Sequence, residues 1–248
     1  MPSISAFFLL VSLSLITGIA QAEQVLIAVA SNFHSTMKQL VVAFEKQTAY
    51  KVIVTPGATG KIYAQIQHGA PYDLFFAADK KRPELLEKNN TIVPGTRQTY
   101  AKGKLVLWSP DKASIQNQAD VLTTSNFNHL AIANPKLAPY GLAAQQVLEH
   151  LNLWDTLQNK LVRGENIGQT YQFVASGSAE LGFVALSQVK QPNETIPGSV
   201  WMIPGDLYQP IEQQAVQLNN TAAATAFMSF LNTSKAKKII ESYGYELP

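Results

Sequence analysis

An apolar stretch near the start of the chain runs directly into an amphipathic helical pattern. Residues 24–30 (QVLIAVA) are apolar and rich in β-branched side chains, which predicts one buried strand. From Phe33 to Phe44 apolar residues recur three or four positions apart, which predicts a helix. Ser31 lies at the junction, where its hydroxyl can cap the helix. Free N–H groups and the positive end of the helix dipole meet there, so the junction predicts a site for an anion that needs no charged side chain.

The same order of strand, polar turn and helix recurs along the chain. The further copies join strands at 50–55, 129–133 and 160–163 to helices at 61–68, 142–151 and 169–176. Thr59 supplies a hydroxyl in the second turn, and we expect the third helix to begin at Tyr140 or Gly141. In parallel α/β sheets such junctions lie at the carboxyl ends of the strands, so we expect the copies to face one small oxyanion.

Strands and helices alternate through the remainder, which predicts an α/β fold rich in parallel strands. The remaining strands are expected at 70–78, 99–109, 180–186, 198–205 and 214–218, and terminal helices at 221–231 and 234–243. Apolar strands around Leu105 and from Val200 to Val216 can each cross between two lobes. The expected division is one lobe of residues 23–103 plus 211–248 and another of residues 104–210, with the ligand in the cleft.

Charge and composition exclude several other classes of site. The net charge of +2 gives no basic field for nucleic acid. The four histidines have no metal-ligand spacing, and cysteine is absent. Residues 1–22 read as a signal peptide, because an apolar run shorter than the ~20 residues of a membrane span precedes Ala20-Gln-Ala22. We therefore expect a soluble, exported periplasmic protein that begins at Glu23.

Several segments, in order along the whole mature chain, resemble the periplasmic molybdate-binding proteins of bacterial ABC importers. They include residues 28–33 (AVASNF), 57–66 (GATGKIYAQI), 69–79 (GAPYDLFFAAD), 131–135 (AIANP), 139–141 (PYG) and 181–184 (LGFV). The resemblance implies a two-lobed type II periplasmic binding protein fold, in which each lobe is a mostly parallel sheet flanked by helices and two strands cross over. It also implies a monomer that is not an enzyme and needs no cofactor.

The ligand that this resemblance implies is molybdate or tungstate, delivered to an inner-membrane ABC permease. Molybdenum would enter only as the bound oxyanion, without direct protein–metal ligands. Carried over residue by residue, the ligand contacts fall on Ser31, Thr59, Tyr140 and Ile167. Ile167 can offer only its backbone N–H, as a helix start requires. A dianion without a proton is best held by such uncharged donors, each worth roughly 1.5–3 kcal/mol.

One position departs from the family. A tyrosine often found on a late strand falls on Ala185, which has no hydroxyl. The amide of Asn32 and the phenol of Tyr140 are the candidate donors in its place. Ala58, Gly141 and Ala185 are secondary candidates.

Two alternatives remain open from the sequence. The same fold could bind another oxyanion, either sulfate or phosphate, or a small organic acid; Arg163 is the candidate partner for a carboxylate. An exported hydrolase is the other alternative, but Ser176-Gly-Ser178 lacks the Gly-x-Ser-x-Gly frame. Molybdate and tungstate share charge and nearly share radius, so the sequence does not separate them.

Overall fold

Two five-stranded sheets organise the chain, and helices flank both. The computed structural model describes residues 23–124 and 126–248. The signal peptide that the sequence predicts, residues 1–22, lies outside this described part. Within it, no helix is long and apolar enough to cross a membrane.

The strands and helices are as follows. The strands are β1 (Gln24–Ala30), β2 (Lys51–Gly57), β3 (Leu74–Phe76), β4 (Gln98–Gly103), β5 (Leu105–Ser109), β6 (Leu130–Ala133), β7 (Leu161–Gly164), β8 (Leu181–Ala185), β9 (Ser199–Met202) and β10 (Ile211–Gln217). The helices are α1 (His34–Glu45), α2 (Thr59–Gln67), α3 (Lys81–Lys88), α4 (Asp120–Thr124), α5 (Pro139–His150), α6 (Ile167–Ala175), α7 (Leu186–Val189), α8 (Ala222–Leu231) and α9 (Ser234–Ser242).

The first sheet has the order β2-β1-β3-β10-β4. β1 pairs in parallel with β2 and β3. β10 lies antiparallel between β3 and β4, so four of the five strands point one way and β10 is reversed. Helices α1, α2, α3 and α8 pack on this sheet, α9 packs against α1 and α8, and we call the unit the first lobe.

The second sheet repeats this plan with the order β7-β6-β8-β5-β9. β6 pairs in parallel with β7 and β8, and β5 lies antiparallel between β8 and β9. Again four strands share one direction and one is reversed. Helices α5, α6 and α7 pack on it to form the second lobe. In both lobes the reversed strand is the one that receives the chain from the other lobe.

The chain crosses between the lobes twice. The expected continuous strand over 99–109 is two strands, because the chain leaves the first sheet after β4 and enters the second at β5, with Lys104 between them. It returns through residues 203–210, between β9 and β10. The strand expected over 198–205 therefore ends at Met202.

Other element ends also differ from expectation. The strand expected at 70–78 is only Leu74–Phe76, and α5 begins at Pro139 rather than at Tyr140 or Gly141. Proline suits the first helical position because it has no N–H to leave unpaired.

Candidate functional site

The four strand-to-helix junctions form two adjacent pairs. In the first sheet Ala30, the last residue of β1, lies opposite Gly57, the last residue of β2. In the second sheet Ala133 at the end of β6 lies opposite Gly164 at the end of β7. Parallel pairing therefore aligns the helix starts within each lobe, and the cleft brings the two pairs together.

Ser31 does not cap its own helix. A short 3₁₀ turn, Ser31–Phe33, follows β1 and has no side-chain cap. The Ser31 Oγ instead accepts a hydrogen bond of 3.1 Å from the N–H of Gly168 in α6, on the other side of the cleft. The sequence interpretation of Ser31 as a cap is therefore wrong, because the hydroxyl is engaged by the other lobe.

Thr59 occupies the first position of α2 and is 1% exposed. Its Oγ1 accepts a hydrogen bond of 3.1 Å from the N–H of Ala78, just after β3. In both Ser31 and Thr59 a backbone N–H occupies the acceptor side of the hydroxyl. The hydroxyl hydrogen of each is left to donate to a third group.

Backbone donors come from the starts of α2, α5 and α6. Thr59, Tyr140 and Ile167 lie in the first turns of these helices, where N–H groups have no carbonyl partner within the helix. Asn166 caps α6 by accepting 3.0 Å from the N–H of Gln169, which fixes the direction of that helix start.

A small cavity lies where these elements meet. Six predicted residues line it, namely Ser31, Asn32, Ala58, Thr59, Tyr140 and Ile167. The volume of this cavity is about 10 Å³, which suits one small compact group. Among the described residues that line it, none carries a formal charge.

Asn32 is buried, but its amide hydrogens point to protein partners. The Nδ2 donates to Gln213 Oε1 at 2.8 Å and to Tyr245 Oη at 2.9 Å. Its backbone carbonyl accepts from Ser187 Oγ of the second lobe at 3.0 Å. The expected amide donation into the cavity is therefore not made in this arrangement.

The phenol of Tyr140 belongs to the same buried network. Its oxygen accepts from Gln213 Nε2 at 3.3 Å. Burial raises the pKa of Tyr140 well above its usual value of 10, so the phenol is uncharged at neutral pH. Tyr140 thus lines the cavity while its hydroxyl contacts Gln213 of β10, which leaves its backbone N–H as the group that can donate into the cavity.

Two secondary candidates do not line the cavity. A Cβ on Gly141 would lie 2.3 Å from the carbonyl oxygen of Ala133, so this glycine allows α5 to start close against β6. Ala185 is fully buried at the end of β8, and its N–H donates to Gln188 Oε1 at 2.9 Å.

Gln213, Tyr245 and Ser187 are functional-site neighbours that the sequence reasoning missed. All three are at most 5% exposed, and they connect Asn32 and Tyr140 behind the cavity. Gln213 lies in β10, and a glutamine within a buried strand is a sequence signal that could have indicated a site residue. No sequence signal indicates the pairing of Tyr245 with Asn32, because the two lie far apart in the chain.

The residues behind the alternative functions lie elsewhere. Arg163 does not line the cavity; its Nη2 donates to Gln158 at 2.6 Å and its guanidinium lies over Trp154. Ser176 and Ser178 are exposed and hydrogen-bond each other at 3.0 Å.

A wider groove adjoins the cavity and shares Ala78 and Pro139 with it. The groove holds about 420 Å³ and is open to solvent. Charged side chains line it, including Lys80, which pairs with Glu212 at 2.9 Å. Screening by water makes this wide groove a weaker place to hold a small ion than the small cavity, most of whose lining residues are buried.

Comparison with known proteins places the chain in a family. The sequence model of the family of bacterial extracellular solute-binding proteins matches residues 25–246 of this chain. The molybdate-binding protein ModA of Azotobacter vinelandii is 49% identical over 99% of this chain and 98% of that protein. ModA of Rhodobacter capsulatus is 45% identical over 94% of each.

A solved structure agrees with these matches. The periplasmic molybdate-binding protein of Azotobacter vinelandii superposes with a TM-score of 0.88 at 47% identity, covering 90% of this chain and 99% of that one. The expected two-lobed fold is thereby confirmed, and because the relatives are binding proteins the hydrolase alternative falls away. The chain belongs to the bacterial extracellular solute-binding proteins and, within them, to the family of the molybdate-binding protein ModA.

Proposed function

We propose that this chain binds molybdate, or tungstate, in the small cavity between the lobes and delivers it to an inner-membrane ABC permease. The observation that carries the proposal is the convergence of four strand-to-helix junctions on one small cavity without a charged residue among the described residues that line it. The family relationship to proteins named for molybdate binding supports the choice of oxyanion.

The donor set has the right polarity for a dianion. The hydroxyls of Ser31 and Thr59 have their acceptor sides occupied by Gly168 and Ala78, so each can donate outward. The N–H groups at the starts of α2, α5 and α6 add backbone donors. Each hydrogen bond to a charged ligand contributes roughly 1.5–3 kcal/mol, and the buried walls strengthen it.

Phosphate differs from this set in keeping a proton near neutral pH, so it needs an acceptor. The hydroxyls of Ser31 and Thr59 each already accept a backbone N–H, and the acceptor without a partner among the described residues of the cavity is Asn32 Oδ1, so titration must separate phosphate from molybdate. Sulfate has the same charge and shape as molybdate but is smaller, and the size of the cavity must separate the two.

The lobes form the moving parts of the proposed cycle. We assign residues 23–103 and 211–248 to the first lobe and residues 104–210 to the second. In the closed arrangement the N–H of Gly60 donates to Leu137 O at 2.9 Å across the cleft, and Lys61 pairs with Glu165 at 2.7 Å. Ligand binding would stabilise this closed form, which the permease would recognise.

The proposed place of action is the periplasm, with residues 1–22 removed as a signal peptide and the mature chain acting as a soluble monomer. Analytical ultracentrifugation of residues 23–248 with and without molybdate tests the monomer.

Isothermal titration of residues 23–248 with molybdate, tungstate, sulfate and phosphate tests the ligand. We expect tight binding of molybdate and tungstate and weak or no binding of the others. Tight binding of sulfate or phosphate without molybdate would overturn the proposal.

A pair of double variants tests the site. Ser31→Ala with Thr59→Ala should weaken molybdate binding by several kcal/mol, because two charge-assisted bonds are lost. The control is Ser176→Ala with Ser178→Ala, which removes two exposed hydroxyls and should leave affinity unchanged. Equal affinities of the two double variants would refute the placement of the site.

A further inference from the structure

Asn32 carries a buried oxygen that accepts no hydrogen bond. The residue is 2% exposed and lines the cavity. Within the described chain its Oδ1 has no partner, whereas its Nδ2 uses both hydrogens on Gln213 and Tyr245. A buried acceptor without a partner is unfavourable, and beside a binding cavity it marks where a ligand completes the hydrogen bonding.

The atom at this position has the wrong polarity for the proposed ligand. A fully deprotonated oxyanion offers only acceptors, and Asn32 Oδ1 is also an acceptor. A half-turn of the side-chain amide exchanges Oδ1 and Nδ2. The turned amide would present a donor where the unpaired oxygen now lies.

Gln213 decides whether this turn is possible. If Asn32 turned alone, its Oδ1 would face Gln213 Oε1, which now accepts from it at 2.8 Å. If Gln213 turns as well, its Nε2 donates to Asn32 Oδ1 and to the hydroxyl of Tyr100, now 3.1 Å from Oε1. Its Oε1 then accepts from the hydroxyl of Tyr140, now 3.3 Å from Nε2.

The surrounding hydroxyls tolerate the exchange because each can donate or accept. Tyr100 keeps the carbonyl of Ala77 as an acceptor at 3.2 Å. Tyr245 now accepts from Asn32 Nδ2 and donates its one hydrogen to the Asn32 carbonyl at 3.0 Å or to Ser187 Oγ at 2.8 Å; it would redirect this hydrogen to the turned Oδ1. Ser187 keeps its hydrogen bond to the Asn32 carbonyl at 3.0 Å. The two arrangements therefore differ in the group that Asn32 presents to the cavity and in the acceptor of the Tyr245 hydroxyl hydrogen.

We propose that Gln213 is a positioning residue of the oxyanion site, whose amide turns together with that of Asn32 so that Asn32 Nδ2 donates to the bound oxyanion. The inference rests on the proposed function. Gln213 is fully buried and is not among the residues that line the cavity, so it acts through Asn32. It also joins the ligand to Tyr140 of the second lobe, because the turned Gln213 accepts from that phenol.

A neutron crystal structure of the molybdate-loaded protein in deuterated solvent observes the amides directly. We expect the deuterons of Asn32 Nδ2 to face a molybdate oxygen and those of Gln213 Nε2 to face Asn32 and Tyr100. Asn32 Nδ2 still donating to Gln213 Oε1 in the loaded protein would overturn the inference.

A double-mutant cycle measured by titration with molybdate separates positioning from a merely structural role. Gln213→Met and Asn32→Leu should each weaken binding about tenfold or more. In the Asn32→Leu background, Gln213→Met should change the affinity less than about twofold, because its route to the ligand is gone. Losses that multiply in the double variant would contradict the inference.

Gln214→Met is the matched control. Gln214 is the next residue of β10, is 8% exposed, and contacts Arg97 and Thr99 rather than the site. Its substitution should leave molybdate affinity within about twofold of wild type. If a Gln213 variant fails to fold, the neutron structure of the wild type still tests whether the two amides turn. Wild-type protein that binds no molybdate would refute the proposed function, whereas multiplying losses in a protein that binds it would refute only the role of Gln213.

Discussion

Thr59 shows how one hydroxyl can serve the fold and the ligand at once. Its oxygen accepts from the N–H of Ala78, and its hydrogen remains for a group in the cavity. A serine at position 59 would preserve both the accepted and the donated hydrogen bond, whereas a valine would preserve only the shape of the side chain.

We therefore expect Thr59→Val to weaken molybdate binding about tenfold or more, since one charge-assisted bond of roughly 1.5–3 kcal/mol is lost. Stability should also fall, by about 1–3 kcal/mol, because the buried N–H of Ala78 loses its acceptor. Titration calorimetry and urea unfolding measure the two effects. Thr59→Ser is the control and should bind nearly as the wild type does; equal losses in both variants would argue against the hydroxyl.

Thr36 is the opposite case. It is fully buried in α1, and its Oγ1 has no partner among the described residues. We expect Thr36→Val to stabilise the protein by about 1 kcal/mol, because an unpaired hydroxyl is replaced by a methyl group of the same shape. This corresponds to a rise in melting temperature of about 2–4 °C. A lower melting temperature would show that the hydroxyl has a partner in solution.

At this scale the sequence identified site residues but not their partners. Ser31 and Thr59 were predicted from hydroxyls at strand-to-helix junctions. The donor to Ser31 is the N–H of Gly168, 137 positions away, and no local pattern carries such a contact. The same holds for Asn32, whose amide direction depends on Gln213 and Tyr245.

At the scale of the elements, the start of α2 is a contact point between the lobes. The N–H of Gly60 donates to the carbonyl of Leu137 across the cleft. A Cβ built on Gly60 would lie 3.1 Å from that carbonyl oxygen and 2.8 Å from Arg82 Nη2. The absence of a side chain here allows α2 and the loop before α5 to close on each other.

Gly60→Ala should therefore weaken molybdate binding several-fold while leaving stability unchanged or higher by up to about 1 kcal/mol, because alanine is the better helix former. Titration and thermal unfolding separate the two effects. Gly205→Ala is the matched control, since a Cβ there meets nothing within 4 Å. Undiminished affinity in the Gly60 variant would mean that closure does not require this approach.

The order and type of the elements followed from periodicity, whereas their ends did not. α1, α6, α8 and α9 all lie where helices were expected, although apolar spacing was the argument only for α1. The break at Lys104 was missed although Lys102, Gly103 and Lys104 interrupt the apolar run, because only the tertiary fold shows that two sheets share this stretch. β3 is shorter than its apolar run because Ala77 and Ala78, although buried, lie beyond the pairing with β1.

At the scale of the whole molecule, three buried tyrosines lie behind the cavity, and two of them, Tyr140 and Tyr245, hydrogen-bond across the lobes. Burial raises the pKa of Tyr100, Tyr140 and Tyr245 above the usual value of 10. In the unfolded chain these phenols would lose their protons near pH 10. Their contribution to stability is thus complete below pH 10 and is lost as the pH rises above it.

We expect the free energy of unfolding in urea to fall steeply between about pH 10 and pH 11.5. Tyr245→Phe should reduce the slope of that fall by up to about one proton, because one titrating group is removed. A stability that stays constant over this range, or an identical slope in the variant, would show that these phenols titrate freely in the folded protein.

The position of β10 has a consequence for how the molecule is made. All strands of the second sheet lie between residues 105 and 202, so that lobe is one uninterrupted stretch of chain. The first sheet cannot close its gap between β3 and β4 until residues 211–217 have been synthesised. As the chain emerges N-terminus first, whether from the ribosome or on export, the lobe that begins the chain is therefore the last to be completed, the reverse of the usual order from the N-terminus.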